Sequence, residues 1–83
     1  MSIADPSSVV GADGASPQAL ASLSHREVEV LERIATGRTN REVAAELSVS
    51  VHAVKFHLAS IYRKLGVANR TEAVVVLLRA GVS

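Results

Sequence analysis

With 83 residues, the chain can form one small domain, and it must pack economically to stay folded. It has no cysteine, which excludes disulfide staples and thiolate metal sites and suits a reducing, cytoplasmic setting. A formal charge of +1 names no partner, the apolar run Ala73–Leu78 is far too short to cross a bilayer, and the start lacks the basic region and apolar core of a signal peptide.

Residues 1–22 are dominated by Gly, Ala, Ser, Pro and Asp without sustained periodicity, so a flexible linker or disordered tail is expected there. It reads as the tether from a separate N-terminal domain rather than the ragged start of a standalone protein. Pro17 can begin a short turn running to Leu20, and Leu20 or Leu23 can touch the folded part. Residues 23–83 are expected to be the domain itself. Asp5 and Asp13 are the only charges before Arg26, and the remainder holds nine Lys/Arg against six Glu.

A first helix is predicted over 24–36. Ser24 and Glu27 form a capping box, and Leu23 stands where a hydrophobic staple closes. Val28, Leu31 and Ala35 make the expected buried stripe, with Ile34 beside it. Arg26, Glu29 and Arg33 face water, and Glu29 and Arg33 are spaced to pair. Gly37 ends the helix as a left-handed residue.

A second helix, 39–47, opens on another capping box, Thr39 with Glu42, and carries Val43 and Leu47 flanked by Ala44 and Ala45. A tight connection at Ser48–Ser50 leads to a longer helix, 51–65, with Val54, Leu58, Ile61 and Leu65 on one stripe. Two helices joined this closely, with converging apolar faces, have the shape of a helix-turn-helix. From Ser50 to Arg70 there are Lys55, Arg63, Lys64 and Arg70 and no acid, so this helix and its exit are electropositive.

Gly66 stops the long helix, and Val67 and Ala68 can fold back on the core. Asn69 caps a fourth helix, 70–80, with Glu72 as box partner. A core face through Ala73, Val74, Leu77 and Ala80 leaves Val75 and Val76 over, on the side shared with Glu72 and Arg79, which suggests a second apolar contact.

Several motifs recur together at fixed offsets: L-S-H-R-E at Leu23–Glu27, G-R-T-N-R-E-V-A at Gly37–Ala44, V-K-F-H at Val54–His57, and R-K-L-G-V-A-N-R-T-E at Arg63–Glu72. Through them the stretch from Leu23 to about Ala80 resembles the DNA-binding domain of the LuxR/GerE type, found at the C-terminus of bacterial response regulators and quorum-sensing receptors. The resemblance implies an all-α, four-helix domain that binds double-stranded DNA as a transcription regulator, without metal, cofactor or small-molecule ligand of its own. It also implies a palindromic operator, RNA polymerase as a further partner, and a weak homodimer through the fourth helix with Val75, Val76, Glu72 and Arg79. Departures lie where DNA would be read. His25 replaces the usual proline, and Val51, His52 and Ala53 replace a polar pair and threonine, removing one hydroxyl suited to phosphate.

On the long helix, the side opposite the apolar stripe carries His52, Lys55, Phe56, Ala59 and Arg63. The first four are candidate base contacts, because a major groove admits one helix and its N-terminal half meets base edges. Lys55 can donate to guanine or to phosphate, Phe56 can press on a thymine methyl or lean on a neighbour, and Ala59 permits close approach. Candidate phosphate contacts are Thr39, Asn40, Arg41 and Ser50 at two helix starts, and Arg63, Lys64 and Arg70 on the rim. His57 reads as a hydrogen-bonded structural histidine.

No nucleophile–base–orienter set, glycine-rich phosphate loop or metal-ligand spacing occurs, which argues against an enzyme. Two rivals remain: the promoter-recognition end of a sigma factor, which would lack a fourth helix packed on the first, and a helical adaptor that binds only protein.

Overall fold

The computed structural model describes residues 17–80, which form five α-helices: α1 (Pro17–Ala21), α2 (His25–Ala35), α3 (Asn40–Leu47), α4 (Val51–Leu65) and α5 (Arg70–Arg79). No strand occurs among the described residues. The four longer helices match the expected ranges to within a residue at each end. The short α1 lies inside the segment read as a tail, and Ala19 and Leu20 pack partly buried on the core. The rest of that tail, residues 1–16, lies outside the described residues.

Each longer helix begins on a polar cap that satisfies otherwise unpaired N–H groups. Ser24 Oγ accepts the Glu27 N–H at 3.1 Å while Glu27 Oε1 accepts the Ser24 N–H at 2.8 Å. Thr39 and Glu42 do the same at 3.1 and 2.9 Å. Ser50 Oγ takes the Ala53 N–H at 2.9 Å, and Asn69 Oδ1 takes that of Glu72 at 3.0 Å. The expected box at the last helix is displaced by one residue, because the Glu72 carboxylate accepts from the Ala68 N–H at 2.7 Å. It thereby ties down the loop ahead of the cap.

The helix ends are equally regular. Gly37 (φ 91°), Ser48 (φ 58°) and Gly66 (φ 70°) each turn the chain left-handed. Around each, a pair of bonds closes the last turn: Gly37 N–H to Ile34 and Arg38 N–H to Arg33, Ser48 N–H to Ala45 and Val49 N–H to Ala44, Gly66 N–H to Arg63 and Val67 N–H to Tyr62. These are Schellman motifs, in which backbone donors beyond the helix return to its orphan carbonyls. Val49 and Val67, just past two of them, pack against the core.

One core joins the helices. Val30, Leu31 and Ile34 of α2, Val43, Ala44 and Leu47 of α3, Val54, Leu58, Ile61 and Leu65 of α4, and Ala73, Val76 and Leu77 of α5 are buried together with Leu23. The α3 and α4 stripes are those expected, but two neighbours are rotated. On α2 the buried set is Glu27, Val30, Leu31 and Ile34, while Val28 and Ala35 are only partly covered. On α5, Val76 is 3% exposed and belongs to the core, whereas Val75 is 39% and Leu78 60% exposed. The reading of Val76 as surplus surface is therefore corrected. Ala73, Val76 and Leu77 form the buried side of α5, and Leu78 takes the outward place beside Val75. The packing of α5 on α2 also removes the sigma-factor reading, which required that contact to be absent.

These phases separate two substitutions on α5 that lie only two residues apart. Val76→Glu should destabilise the domain by roughly 3 kcal/mol or more, because it buries an unpaired carboxylate, whereas Leu78→Glu should stay within about 0.5 kcal/mol of wild type. Urea denaturation followed by circular dichroism checks both.

Candidate nucleic-acid interface

The α4 helix has 15 residues, about 22 Å of axis, enough to lie in a groove and still pack along its length. Its outward face is the one expected: His52, Lys55, Phe56, Ala59 and Arg63 are all exposed, and Phe56 is 72% accessible. The Phe56 ring stands edge-on to that of His57, centroids 6.1 Å apart at 69°. His57, read as a structural histidine, is half-buried with its ring against Phe56. That contact restricts where the phenylalanine can point.

Ser50 caps α4 itself and Thr39 caps α3. Ser50 and Thr39 use their hydroxyl oxygens as cap acceptors, so each hydroxyl proton stays available to an outside acceptor. The adjoining first-turn N–H groups have no intrahelical partner and suit an anion. Arg41, Lys55 and Arg63 are exposed and make no ion pair among the described residues, so their charge is not neutralised locally.

Three of the expected phosphate contacts are engaged inside the protein. Lys64 Nζ donates to Glu27 Oε1 at 2.9 Å. Arg70 Nη1 donates to Asn40 Oδ1 at 3.0 Å, so these two candidates hold each other, and Arg70 Nη2 donates to the Arg38 carbonyl. The Glu29–Arg33 pair does not form either. Glu29 faces Arg26 and His25, each at 3.6 Å, and Arg33 Nε instead meets Glu46 at 3.0 Å. Glu46 also takes Arg38 Nε at 2.6 Å. Its hydrogen bond with Arg38, aided by Arg33, holds the Glu46 carboxyl below the ordinary carboxylate range. One carboxylate thus joins the end of α2, the α2–α3 loop and α3.

Glu27 is the functional support that the sequence reading missed. The residue is 5% exposed, yet its carboxylate is fully satisfied: Oε1 accepts from Ser24 N–H and Lys64, and Oε2 accepts from Ser60 Oγ at 2.6 Å. Burial acts to raise its pKa, but the Ser60 hydroxyl, the Ser24 N–H and the Lys64 ammonium outweigh it and bring it down to about 2. The cluster pins the start of α2 against the C-terminal half of α4, and so sets the tilt of the helix that carries the exposed face. The signal was present: Glu27 precedes Val30, Leu31 and Ile34 at i+3, i+4 and i+7, opening a buried helical face, and Ser60 and Lys64 are one turn apart. The Arg38–Glu46–Arg33 set carried no comparable signal, because it depends on how α3 folds back on α2.

A short helix, a left-handed turn at Ser48 and a longer helix with a carboxylate-free outer face define a helix-turn-helix module, here braced by α2 and α5. The family model for bacterial regulatory proteins of the luxR family matches residues 21–77. The chain belongs to that family. Among its relatives are the transcriptional regulatory proteins LnrK and LiaR of Bacillus subtilis (strain 168). LnrK is 40% identical over 67 residues, covering 81% of this chain and 30% of that protein. LiaR is 46% identical over 54 residues, covering 65% of this chain and 26% of that protein. The spore germination protein GerE of the same organism is 44% identical over 59 residues, covering 71% of this chain and 80% of its own length. The chain thus spans less than a third of the two larger regulators and most of GerE. The family is one of bacterial regulatory proteins. No described helix is long and apolar enough to cross a membrane.

The Glu27 cluster sets a pH dependence. A carboxyl whose folded pKa lies below its unfolded value contributes stability above about pH 4.5, and that contribution is lost as pH falls toward 2. Glu27→Gln should cost on the order of 3 kcal/mol at neutral pH and flatten the acid limb of stability between about pH 5 and pH 2. Urea midpoints measured across that range check both.

Proposed function

We propose that the domain binds double-stranded DNA sequence-specifically as the effector part of a bacterial transcription regulator in the cytoplasm, with the N-terminal half of α4 in the major groove. The observation that carries this is the outer face of α4, where exposed Lys55, Phe56 and His52 stand together with no acid from Ser50 to Arg70. His52, Lys55 and Phe56 approach base edges, and Ala59 leaves room for the groove floor. Thr39, Arg41 and Ser50 on one side, and Arg63 on the other, grip phosphates and set register. A protein-only adaptor would have no use for an acid-free, unneutralised basic face on this helix.

One recognition helix covers few base pairs, so a two-fold pair on a palindromic operator, with helices about 34 Å apart, would supply affinity and selectivity. The family resemblance directs this pairing to α5. Its exposed face offers Val75 and Leu78, flanked by Glu72 and Arg79, with Leu78 in the place first read for Val76. Two small apolar side chains per copy offset little of the cost of association, so the pair is weak without DNA. RNA polymerase is a further partner at promoters.

Selection of bound sites from random DNA, followed by titration at several salt concentrations, tests the reading; no enrichment above bulk DNA would refute it. On the selected site, Lys55→Ala should weaken binding by roughly 1–3 kcal/mol if it reads guanine, with folding untouched. Arg63→Ala should weaken all sequences alike and lower the salt slope by about one phosphate contact. Leu78→Glu should remove cooperative binding to the palindrome and spare half-site binding, as read by sedimentation of the complexes.

A further inference from the structure

We propose that Arg70 is a positioning residue that holds the phosphate-facing start of α3 in place from α5, and is not itself a phosphate ligand. The proposal rests on the DNA-binding reading above. Arg70 is the first residue of α5 and is half-buried. Its two terminal nitrogens diverge onto separate acceptors, Nη1 onto Asn40 Oδ1 at 3.0 Å and Nη2 onto the Arg38 carbonyl. Those acceptors lie immediately before and after Thr39, the cap of α3. A planar guanidinium can span two such points in fixed register, whereas an ammonium offers one compact charge on a flexible stem.

The rest of the loop is held from other directions. The Arg38 side chain turns to Glu46 at 2.6 Å, and Glu46 is steadied by Arg33 at 3.0 Å. Thr39 is closed against Glu42 by the reciprocal cap bonds. Residues 38, 39 and 40 are therefore each fixed by a different partner. What remains free is the Thr39 hydroxyl proton and the first N–H groups of α3, the donors an anionic phosphodiester would take. Their direction is set by the loop, and the loop is set from α5. A grip already in place loses no ordering free energy on binding.

The test uses Arg70→Ala, Arg70→Lys and Asn40→Ala, with two readouts. In the free protein, amide hydrogen exchange at Thr39 and Glu42, whose N–H groups close the cap, should speed up about tenfold in both Arg70 variants, while core amides of α4 keep their protection. On DNA, both Arg70 variants should bind about tenfold more weakly with the wild-type salt slope, and adding Asn40→Ala to Arg70→Ala should cause little further loss. The proposal is overturned if Arg70→Lys keeps wild-type affinity while Arg70→Ala loses about one unit of salt slope, the signature of a direct phosphate contact. Wild-type exchange at Thr39 and Glu42 in both variants also overturns it. Should the alanine variant unfold, the lysine variant decides alone, because it keeps charge and stem. If no version of the protein binds DNA, the functional reading fails while the exchange result still decides the positioning role.

Discussion

The rest of the domain depends on a carboxylate buried at the start of α2. Glu27 is placed among apolar side chains, where an unpaired charge would cost several kcal/mol, and it is tolerable only because three donors converge on it. Two of those donors come from α4, so the charge is satisfied in one arrangement of α2 and α4 and in no slipped one. Apolar contacts between helices are forgiving in register, since a valine packs nearly as well a little further along. The Glu27 cluster is not forgiving, and it fixes how the α4 face is presented.

A second polar tie works at the other end of the module. Arg70 reaches from α5 to the loop before α3, and Glu46 gathers Arg33 and Arg38 on its far side. Both ties use charges that a surface reading would assign to solvent or to a ligand. Among the described residues, the exposed cations without an ion pair are Arg41 on α3, Lys55 and Arg63 on the outer face of α4, and Arg79 at the end of α5.

The helices were legible because their ends are local: Ser24, Thr39, Ser50 and Asn69 begin them, and Gly37 and Gly66 end them, by chemistry within a few residues. The α4 faces were legible because Val54, Leu58, Ile61 and Leu65 leave one phase open. In α5, by contrast, the run Ala73–Leu78 is apolar on every side, so periodicity could not choose between Val75 and Val76, and packing on α2 decided. The partners of Lys64, Asn40 and Arg70 were hidden for another reason. They lie 30 or more residues away, and nothing in local spacing reports a contact across that distance.

The contrast between local ends and distant ties shapes the kinetics of the chain. Capping boxes and left-handed exits close within five residues, so individual helices can begin to form on the microsecond scale of helix nucleation, before α5 exists. The bonds from Glu27 to Ser60 and Lys64 span 33 and 37 residues and need α2 and α4 already docked. Where φ-values at Glu27, Ser60 and Lys64 are low, the free energy these bonds contribute falls on the unfolding arm of a chevron. In that case the buried carboxylate acts as a latch: it scarcely alters how fast the domain assembles, and it governs how long the assembled domain lasts.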